Sequence, residues 1–112
     1  MLFHGQVNFI GSVSFEGNYA NKSGGAVYAD DESNALFGGE AIFTKNTATY
    51  GGAFYIDDDS NASFGGEAFF ANNAAEFGGA IYGEGSNIVL KGETVFANNT
   101  ADEGGTTVII TL

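Results

Sequence analysis

The sequence contains no cysteine, proline, tryptophan or arginine, and these absences narrow what the chain can be. Without cysteine, there is neither a disulfide framework nor a thiolate metal site. No apolar stretch approaches the roughly 20 residues of a membrane-spanning helix, so this segment is not expected to insert into a membrane. The first residues lack a basic region followed by an apolar run, and we therefore predict no signal peptide here.

Basic residues are also scarce, since 14 acidic residues outnumber three basic ones and the formal net charge is −11. Nucleic-acid binding depends on neutralising phosphates with lysine and arginine, so the charge argues against such a partner. It argues equally against anionic membrane surfaces. Glycine and phenylalanine are abundant, at 18 and 11 residues, and 44% of the chain is apolar. This composition predicts a folded chain with a substantial core.

One pattern recurs four times at a period of about 27 residues. A phenylalanine is followed three residues later by an asparagine, and a Gly-Gly pair follows that asparagine. The phenylalanine and asparagine pairs are Phe15 with Asn18, Phe43 with Asn46, Phe70 with Asn73, and Phe96 with Asn99. The glycine pairs are Gly24 with Gly25, Gly51 with Gly52, Gly78 with Gly79, and Gly104 with Gly105. We call these residues the repeat motif.

Within each period, short strand-like pieces alternate with turn residues, and no window holds a helical period. In the third copy the pieces are 61–64, 67–70 and 80–82, and we interpret 71–77 as a connection. Three short strands per period are typical of one coil of a three-sided parallel β-helix, with coils stacked about 4.8 Å apart. The sequence therefore predicts an all-β, right-handed parallel β-helix of about four coils.

Stacked coils place equivalent residues in columns, and strand pleating decides which columns face inward. The two inward aromatic columns are expected to be Phe15, Phe43, Phe70 and Phe96, and Phe9, Phe37, Phe64 and Leu90. On the strand after the Gly-Gly pair, the favoured inward residues are Ala26, Ala53, Ala80, Tyr28, Tyr55 and Tyr82. The alternative inward set is Val27, Phe54 and Ile81. The asparagines of the repeat motif are expected to bond to nearby backbone or to one another as an amide ladder.

Outward columns are predicted from the same pleating. One column holds Ser14, Ile42, Phe69 and Val95, and the other holds Asn8, Leu36, Ser63 and Val89. Ile42 and Phe69 lie next to each other in the first column and would be apolar and exposed. Because exposed apolar patches often mark contact surfaces, we take Ile42 and Phe69 as a candidate contact patch.

The combination of Phe-x-x-Asn with Gly-Gly-Ala and an aliphatic residue, complete from Phe70 to Ile81, resembles the repeats of the chlamydial polymorphic membrane proteins. The resemblance covers nearly the whole chain in four copies. It implies the β-helical passenger of an autotransporter, displayed on the outer membrane and active in adhesion to host cells. The chain is then expected to be a single repeat domain over 1–112, part of a longer passenger. Its expected role is a non-catalytic structural or adhesion module whose partner is a host-cell or surface protein or a glycan.

An enzyme is the competing class, because parallel β-helices also bind or cleave polysaccharides. The sequence contains one histidine, His4, and three dispersed lysines. Few side chains are therefore suited to act as a catalytic base or as part of a nucleophilic triad. Its carboxylates recur from coil to coil, whereas an active site is usually a local exception to a repeat. We therefore predict no catalytic residues and keep a polysaccharide-binding or polysaccharide-cleaving protein as the alternative.

Acidic residues gather at one corner of successive coils, which we call the acidic corner. It comprises Asp30, Asp31, Glu32, Asp57, Asp58, Asp59 and Glu84. Such hard oxygen ligands suit calcium, and the five aspartates are the candidate ligands. The glycine-rich nonapeptide and EF-hand calcium signatures are both absent. A solvated corner is the favoured interpretation, weak calcium binding is the alternative, and no other cofactor is expected.

The two ends of such a stack carry unpaired strand edges. Edges of this kind template pairing with another chain unless they are capped. The sequence therefore predicts a tendency towards end-to-end self-association. The run from Thr107 to Thr111 is apolar and is expected to pair with further sequence or with a second chain.

Overall fold

A computed structural model describes residues 2–3, 5–57, 59–84, 86–103 and 108–109. Within these ranges the chain forms sixteen short strands and no helix. In chain order the strands are β1 (Leu2–Phe3), β2 (Gln6–Phe9), β3 (Val13–Glu16), β4 (Val27–Ala29), β5 (Asn34–Phe37), β6 (Ala41–Thr44), β7 (Thr47–Tyr50), β8 (Phe54–Asp57), β9 (Asn61–Phe64), β10 (Ala68–Ala71), β11 (Ala74–Phe77), β12 (Ile81–Glu84), β13 (Asn87–Leu90), β14 (Thr94–Ala97), β15 (Thr100–Glu103) and β16 (Val108–Ile109).

The strands assemble into four sheets in which all described neighbours are parallel. The first sheet has the order β1-β4-β8-β12-β16 and the second β2-β5-β9-β13, while the third is β3-β6-β10-β14 and the fourth β7-β11-β15. Paired strands lie one coil apart, at a spacing of about 27 residues. The predicted all-β parallel β-helix is thereby confirmed.

The fourth sheet corrects the expected number of sides. Residues 71–77 were predicted to be a connection, yet Ala74–Phe77 forms β11 and pairs with β7 and β15. In the first coil the same side is reduced to two isolated bridges, Tyr19 with Thr47 and Ser23 with Tyr50. The physical reason is that an extended backbone lying on another coil can pair its N–H and C=O groups with that coil, whatever its side chains. The coil therefore has four sides where three were predicted.

The core is built from the two aromatic columns, as predicted. Phe43 and Phe70 stack with ring centroids 4.8 Å apart and planes 3° from parallel. Phe37 and Phe64 stack in the same way at 4.7 Å and 4°. The columns meet edge to face, since Phe43 and Phe64 are 6.2 Å apart at 78°. Stacked and edge-to-face rings are both favourable arrangements, so the aromatic contacts stabilise the helix along its axis and across it.

On the first sheet the favoured parity was wrong, and the alternative is correct. Val27 and Phe54 are fully buried, whereas Tyr28 and Tyr55 face outward and are half-buried. The alanine before each strand is buried as well, because it lies in the bend that follows the Gly-Gly pair. In that bend the N–H groups of residues 26 and 27 both donate to the carbonyl of Ala53 at 2.9 Å. Two successive residues therefore point inward, and the strand alternation starts one residue later than predicted.

Candidate functional site

The Gly-Gly pairs shape the corner that leads into the first sheet, and the two glycines of a pair differ in role. Gly24 and Gly51 have φ of 64° and 65°, in the left-handed region that glycine adopts without steric cost. The second glycine of each of these pairs does not have a positive φ. A side chain at that position is excluded because the neighbouring coil leaves no room for a Cβ atom. A Cβ on Gly25 would lie 2.1 Å from the carbonyl oxygen of Gly52, and a Cβ on Gly52 would lie equally close to that of Gly79. The first glycine therefore turns the chain and the second lets two coils approach.

The sequence groups the two glycines of each pair in one motif, and the structure gives them separate roles. Gly25 is buried against the next coil, and its N–H donates to the carbonyl of Gly51 at 3.2 Å. Gly104 and Gly105, which belong to the same motif, lie outside the described residues.

The asparagines of the repeat motif form the predicted amide ladder. Asn46 donates from Nδ2 to Oδ1 of Asn73 at 3.0 Å, and Asn73 donates to Asn99 at 2.9 Å. The backbone N–H of each also reaches the same oxygen. Asn73 Nδ2 donates in addition to the carbonyl of Phe43 at 3.0 Å. These three side chains are buried and their hydrogen-bonding capacity is used within the protein, so they hold the coils together.

The first rung of the ladder departs from the others, because Asn18 is exposed. Its Nδ2 and its backbone N–H both donate to Oδ1 of Asn46, at 3.0 and 2.9 Å, so it belongs to the ladder. Among the described residues Asn18 has a neighbouring rung on one side only, at Asn46. The aromatic column ends in the same way, since Phe15 and Phe96 are only partly buried. The motif positions are therefore equivalent in register but not in burial.

The left-handed residue at this corner is the one before the motif asparagine. It is Lys45, Asn72 or Asn98, with φ between 55° and 57°. Asparagine adopts this region more readily than most residues. The motif asparagine nevertheless does not adopt it, and its side chain is committed to the ladder. The neighbouring position makes the turn, and it is exposed in each of these copies.

The residues of the acidic corner differ in their exposure to solvent. Asp57 is half-buried and its Oδ2 accepts a hydrogen bond from the Tyr55 hydroxyl at 2.8 Å. Asp30 is half-buried too, while Asp31 and Asp59 are exposed with φ of 56° and 60°. Asp58 and His4 lie outside the described residues. Among the residues that are described, no group of three histidine, cysteine or acidic side chains is arranged to hold a metal ion.

The candidate contact patch faces outward, as predicted. Ile42 and Phe69 alternate with buried neighbours in β6 and β10, and they are register partners on adjacent coils. Each is half-buried rather than fully exposed, because adjacent residues in a column cover one another. Larger exposed fractions occur at Leu36, Val89 and Val95, at 43%, 37% and 36%. Apolar groups therefore reach the surface on both the second and the third sheet.

A shallow groove on the second sheet was not foreseen from the sequence. It has a volume of about 270 Å³. Its lining residues are Gln6, Val7, Asn8, Asn34, Ala35, Leu36, Asn61 and Ser63. The signal that could have found it is the Ser-Asn pair that recurs before this sheet. Ser33 and Ser60 turn inward and are buried, with the Ser33 N–H donating to Ser60 Oγ at 3.0 Å.

The asparagine after each of these serines faces outward. Register aligns Gln6, Asn34, Asn61 and Asn87 in one line along the axis. We call this line the amide column. Every position in it carries a side-chain amide, and the next outward column holds Asn8, Leu36, Ser63 and Val89.

Comparison with protein families gives a match at the positions of the repeat motif. Three segments, residues 12–30, 40–57 and 67–84, match the Chlamydia polymorphic membrane protein repeat. The chain carries polymorphic membrane protein repeats. Each matched segment contains one third-sheet strand, a Gly-Gly pair and the following first-sheet strand. The polymorphic membrane protein repeat thus coincides with the ladder and corner residues, while all four second-sheet strands lie outside the matched segments.

No curated protein and no solved structure gives a significant match to the chain. Among the described residues, no helix has the length and the apolar character needed to cross a membrane.

Proposed function

We propose that this chain is a non-catalytic adhesion and structural module, displayed at the cell surface as part of an outer-membrane passenger. The observation that carries the proposal is the match of three coils to the polymorphic membrane protein repeat. A passenger of this family needs a rigid stalk whose outer faces meet the surroundings. Stacked coils with continuous inner ladders supply such a stalk, because each coil is bonded to the next along several sheets.

The uniformity of the coils supports a role in binding rather than in catalysis. The buried phenylalanines, asparagines and glycines recur at equivalent positions, which is the character of a scaffold. Variation is found on the outer faces instead. Ser14, Ile42 and Phe69 occupy one outward column yet differ in size and polarity. Surface variation on a constant frame is the arrangement expected where recognition is carried by the exterior.

Adhesion can be measured with beads that carry the full chain, applied to cultured epithelial cells and counted after washing. We expect more bound beads than with an albumin coating. Changing Ile42→Ser together with Phe69→Ser should lower the number of bound beads, because the outward apolar patch is lost. Ser14→Ala, in the same outward column, is the matched control and should leave the number unchanged.

The circular dichroism spectrum of the double variant should remain that of a β-protein, since both side chains face outward. Unfolding of the double variant would contradict the outward parity. Beads that bind no better than albumin-coated beads would overturn the proposed function. Hydrolysis or elimination products from a polysaccharide incubated with the chain would overturn its non-catalytic part.

A further inference from the structure

From the outer face of the second sheet, we infer that the amide column and its groove bind a neutral, linear polysaccharide running along the helix axis. The inference deepens the proposed function, because it names a ligand class for one face of the same module. The groove lies on strands outside the segments that match the family repeat. It is therefore a feature of this chain rather than of the repeat it carries.

The first argument is unused hydrogen-bonding capacity. Buried Asn73 uses its amide fully inside the protein. On the outside, Asn61 Nδ2 donates to Asn34 Oδ1 at 3.0 Å. Within the described part of the chain, the amides of Gln6 and Asn8 have no protein partner, and both side chains are exposed. A side-chain amide carries two donor hydrogens and one acceptor oxygen, which complement the hydroxyl groups of a sugar.

The second argument is charge. None of the residues lining the groove is ionisable, although the chain carries a net charge of −11. An anionic glycan would be repelled by the surrounding field without a compensating cation in the groove. A cationic ligand would find its counter-charges at the acidic corner rather than in the groove. The lining therefore favours an uncharged ligand.

The third argument is periodicity. The amides repeat once per coil, at the strand spacing of about 4.8 Å. An extended β-1,4-linked polysaccharide advances by a comparable length per sugar. Successive sugars are turned over, but each still presents a hydroxyl-bearing group at either edge, so successive sugars can meet successive amides. Leu36, which is 43% exposed within the groove, offers an apolar surface for the C–H groups of a sugar ring. The groove volume of about 270 Å³ accommodates only a short part of such a chain, with the remainder lying along the column.

Peptide ligands fit this face less well. A peptide that adds to a sheet needs the unpaired N–H and C=O groups of a strand edge. The groove lies on the outer face of β2, β5 and β9. There β5 and β9 are paired on both sides, and only the outer edge of β2, the terminal strand of the described sheet, is left unpaired. Recognition on this face can use side chains alone. A ligand rich in hydroxyl groups satisfies that condition better than a polypeptide backbone.

The outward tyrosine column is a weaker sugar platform. Tyr28, Tyr55 and Tyr82 stack at 5.0 and 5.4 Å, with planes 22° and 3° from parallel. Sugars pack against the face of an aromatic ring, and in this column the faces between neighbouring rings are covered. The tyrosines present edges and hydroxyl groups instead. The amide groove is therefore the better binding surface.

The inference is tested by isothermal titration calorimetry of the full chain with cellohexaose and chitohexaose, two neutral β-1,4-linked hexasaccharides. A heparin hexasaccharide is the anionic comparison. We expect binding of at least one neutral probe and none of heparin. The double variant Asn8→Ala with Asn61→Ala should weaken binding about tenfold, because two hydrogen-bonding groups are removed. Asn21→Ala removes an exposed amide outside the groove and should change the affinity less than about twofold.

Failure of both neutral probes to bind would overturn the ligand class. Unchanged affinity in the double variant would overturn the groove, and equal binding of heparin would overturn the argument from charge. The adhesion measurement separates this inference from the proposed function. Beads that adhere to cells while no sugar binds would leave the proposed function standing and refute the inference, and the reverse pattern would refute the proposed function alone.

Discussion

At the scale of single residues, the same amino acid serves two purposes in each coil. Asn73 is buried and bonded to the coil on either side, whereas Asn61 lies exposed on the outer face. Burial decides the difference, because a buried amide left without partners costs more than its hydrogen bonds contribute when formed. An exposed amide has water as its alternative partner. The inner asparagines are therefore expected to contribute more to the stability of the folded chain than the outer ones.

Replacing Asn73 tests this distinction. Asn73→Ala would leave the N–H of Asn46 and the carbonyl of Phe43 without their present partner, and we expect a loss of about 3 kcal/mol in the free energy of unfolding. Asn61→Ala is the matched control and should cost less than about 0.5 kcal/mol. Urea unfolding followed by circular dichroism measures both. Equal losses would show that the inner ladder has no special role.

The sequence was sufficient to predict the inner ladder, because four asparagines recur at intervals of 28, 27 and 26 residues and coils stacked in register place them in one column. It did not reveal that Asn18, the first of the four, would be exposed. The sequence also did not predict which residue adopts the left-handed backbone conformation. Lysine has no particular preference for that conformation, yet Lys45 has a φ of 57°. Its neighbour Asn46 is of a residue type that often adopts this region, yet Asn46 does not adopt it. The contacts of Asn46 with the next coil decide the outcome, and those contacts exist only in the folded chain.

At the scale of strands and corners, two glycines of similar appearance differ in what surrounds them. A Cβ on Gly52 would lie 2.1 Å from the carbonyl of Gly79, which is backbone and cannot move aside alone. A Cβ on Gly65 would meet its nearest atom, the carbonyl oxygen of Phe37, at 3.6 Å. One corner therefore depends on the absence of a side chain, whereas the other merely tolerates it.

Alanine substitution separates the two corners. Gly52→Ala should lower the free energy of unfolding by about 3 kcal/mol or more, because two coils must move apart. Gly65→Ala should be neutral or stabilising by up to about 1 kcal/mol, since it reduces the freedom of the unfolded chain. Thermal unfolding of both variants provides the comparison. A Gly52→Ala protein as stable as the parent would contradict the close approach of the coils.

The inward and outward residues were predicted correctly where side chains alternate regularly between the two faces of a strand. The prediction failed where a bend interrupts that alternation. In β6 and β10 the buried and outward residues alternate cleanly, so the columns of Phe43 and Phe70 followed from the sequence. After the Gly-Gly pair a bend buries two residues in succession, and this bend reversed the predicted parity of Tyr55. The fourth sheet was missed because small residues such as Ala74 carry little strand preference. Pairing with adjacent coils makes that segment a strand.

At the scale of the whole molecule, stacking brings like charges together. Asp30 and Asp57 directly follow the register partners Ala29 and Ile56 on adjacent coils, and the chain as a whole carries a net charge of −11. Like charges opposite each other in a sheet are destabilising by a few tenths to about 1 kcal/mol per pair. We expect sodium chloride to raise the midpoint of thermal unfolding by about 5 °C through screening.

Calcium chloride at matched ionic strength tests the acidic corner. With a solvated corner, both salts should give the same midpoint. A higher midpoint in calcium would show that the carboxylates of Asp30, Asp57 and their neighbours bind the ion, since a ligand that binds only the folded state stabilises it. A midpoint that is insensitive to sodium chloride would contradict the argument from charge repulsion.

The ends of the stack differ from its middle. Phe64 is fully buried, whereas Leu90, the next residue in the column, is 37% exposed. At the other end Phe9 is only partly covered. We expect end-to-end association that grows with protein concentration in light scattering and is weakened by Leu90→Lys. Leu36→Lys, on the outer face, is the control. A protein that stays monomeric at every concentration would contradict end-to-end association. Equal effects of the two variants on association would contradict the role of the strand ends.

The stacking of coils in register underlies the ladders, the corners and the groove, and spin-label pairs test it most directly. The chain has no cysteine, so Ser14→Cys can be labelled together with Ile42→Cys, Phe69→Cys or Val95→Cys. In the outward column these partners lie one, two and three coils away, at about 5, 10 and 14 Å by the strand spacing. Dipolar broadening in continuous-wave electron paramagnetic resonance should therefore fall steadily across the three pairs. Broadening that is equal in all three, or absent from the first, would contradict the stacked parallel β-helix.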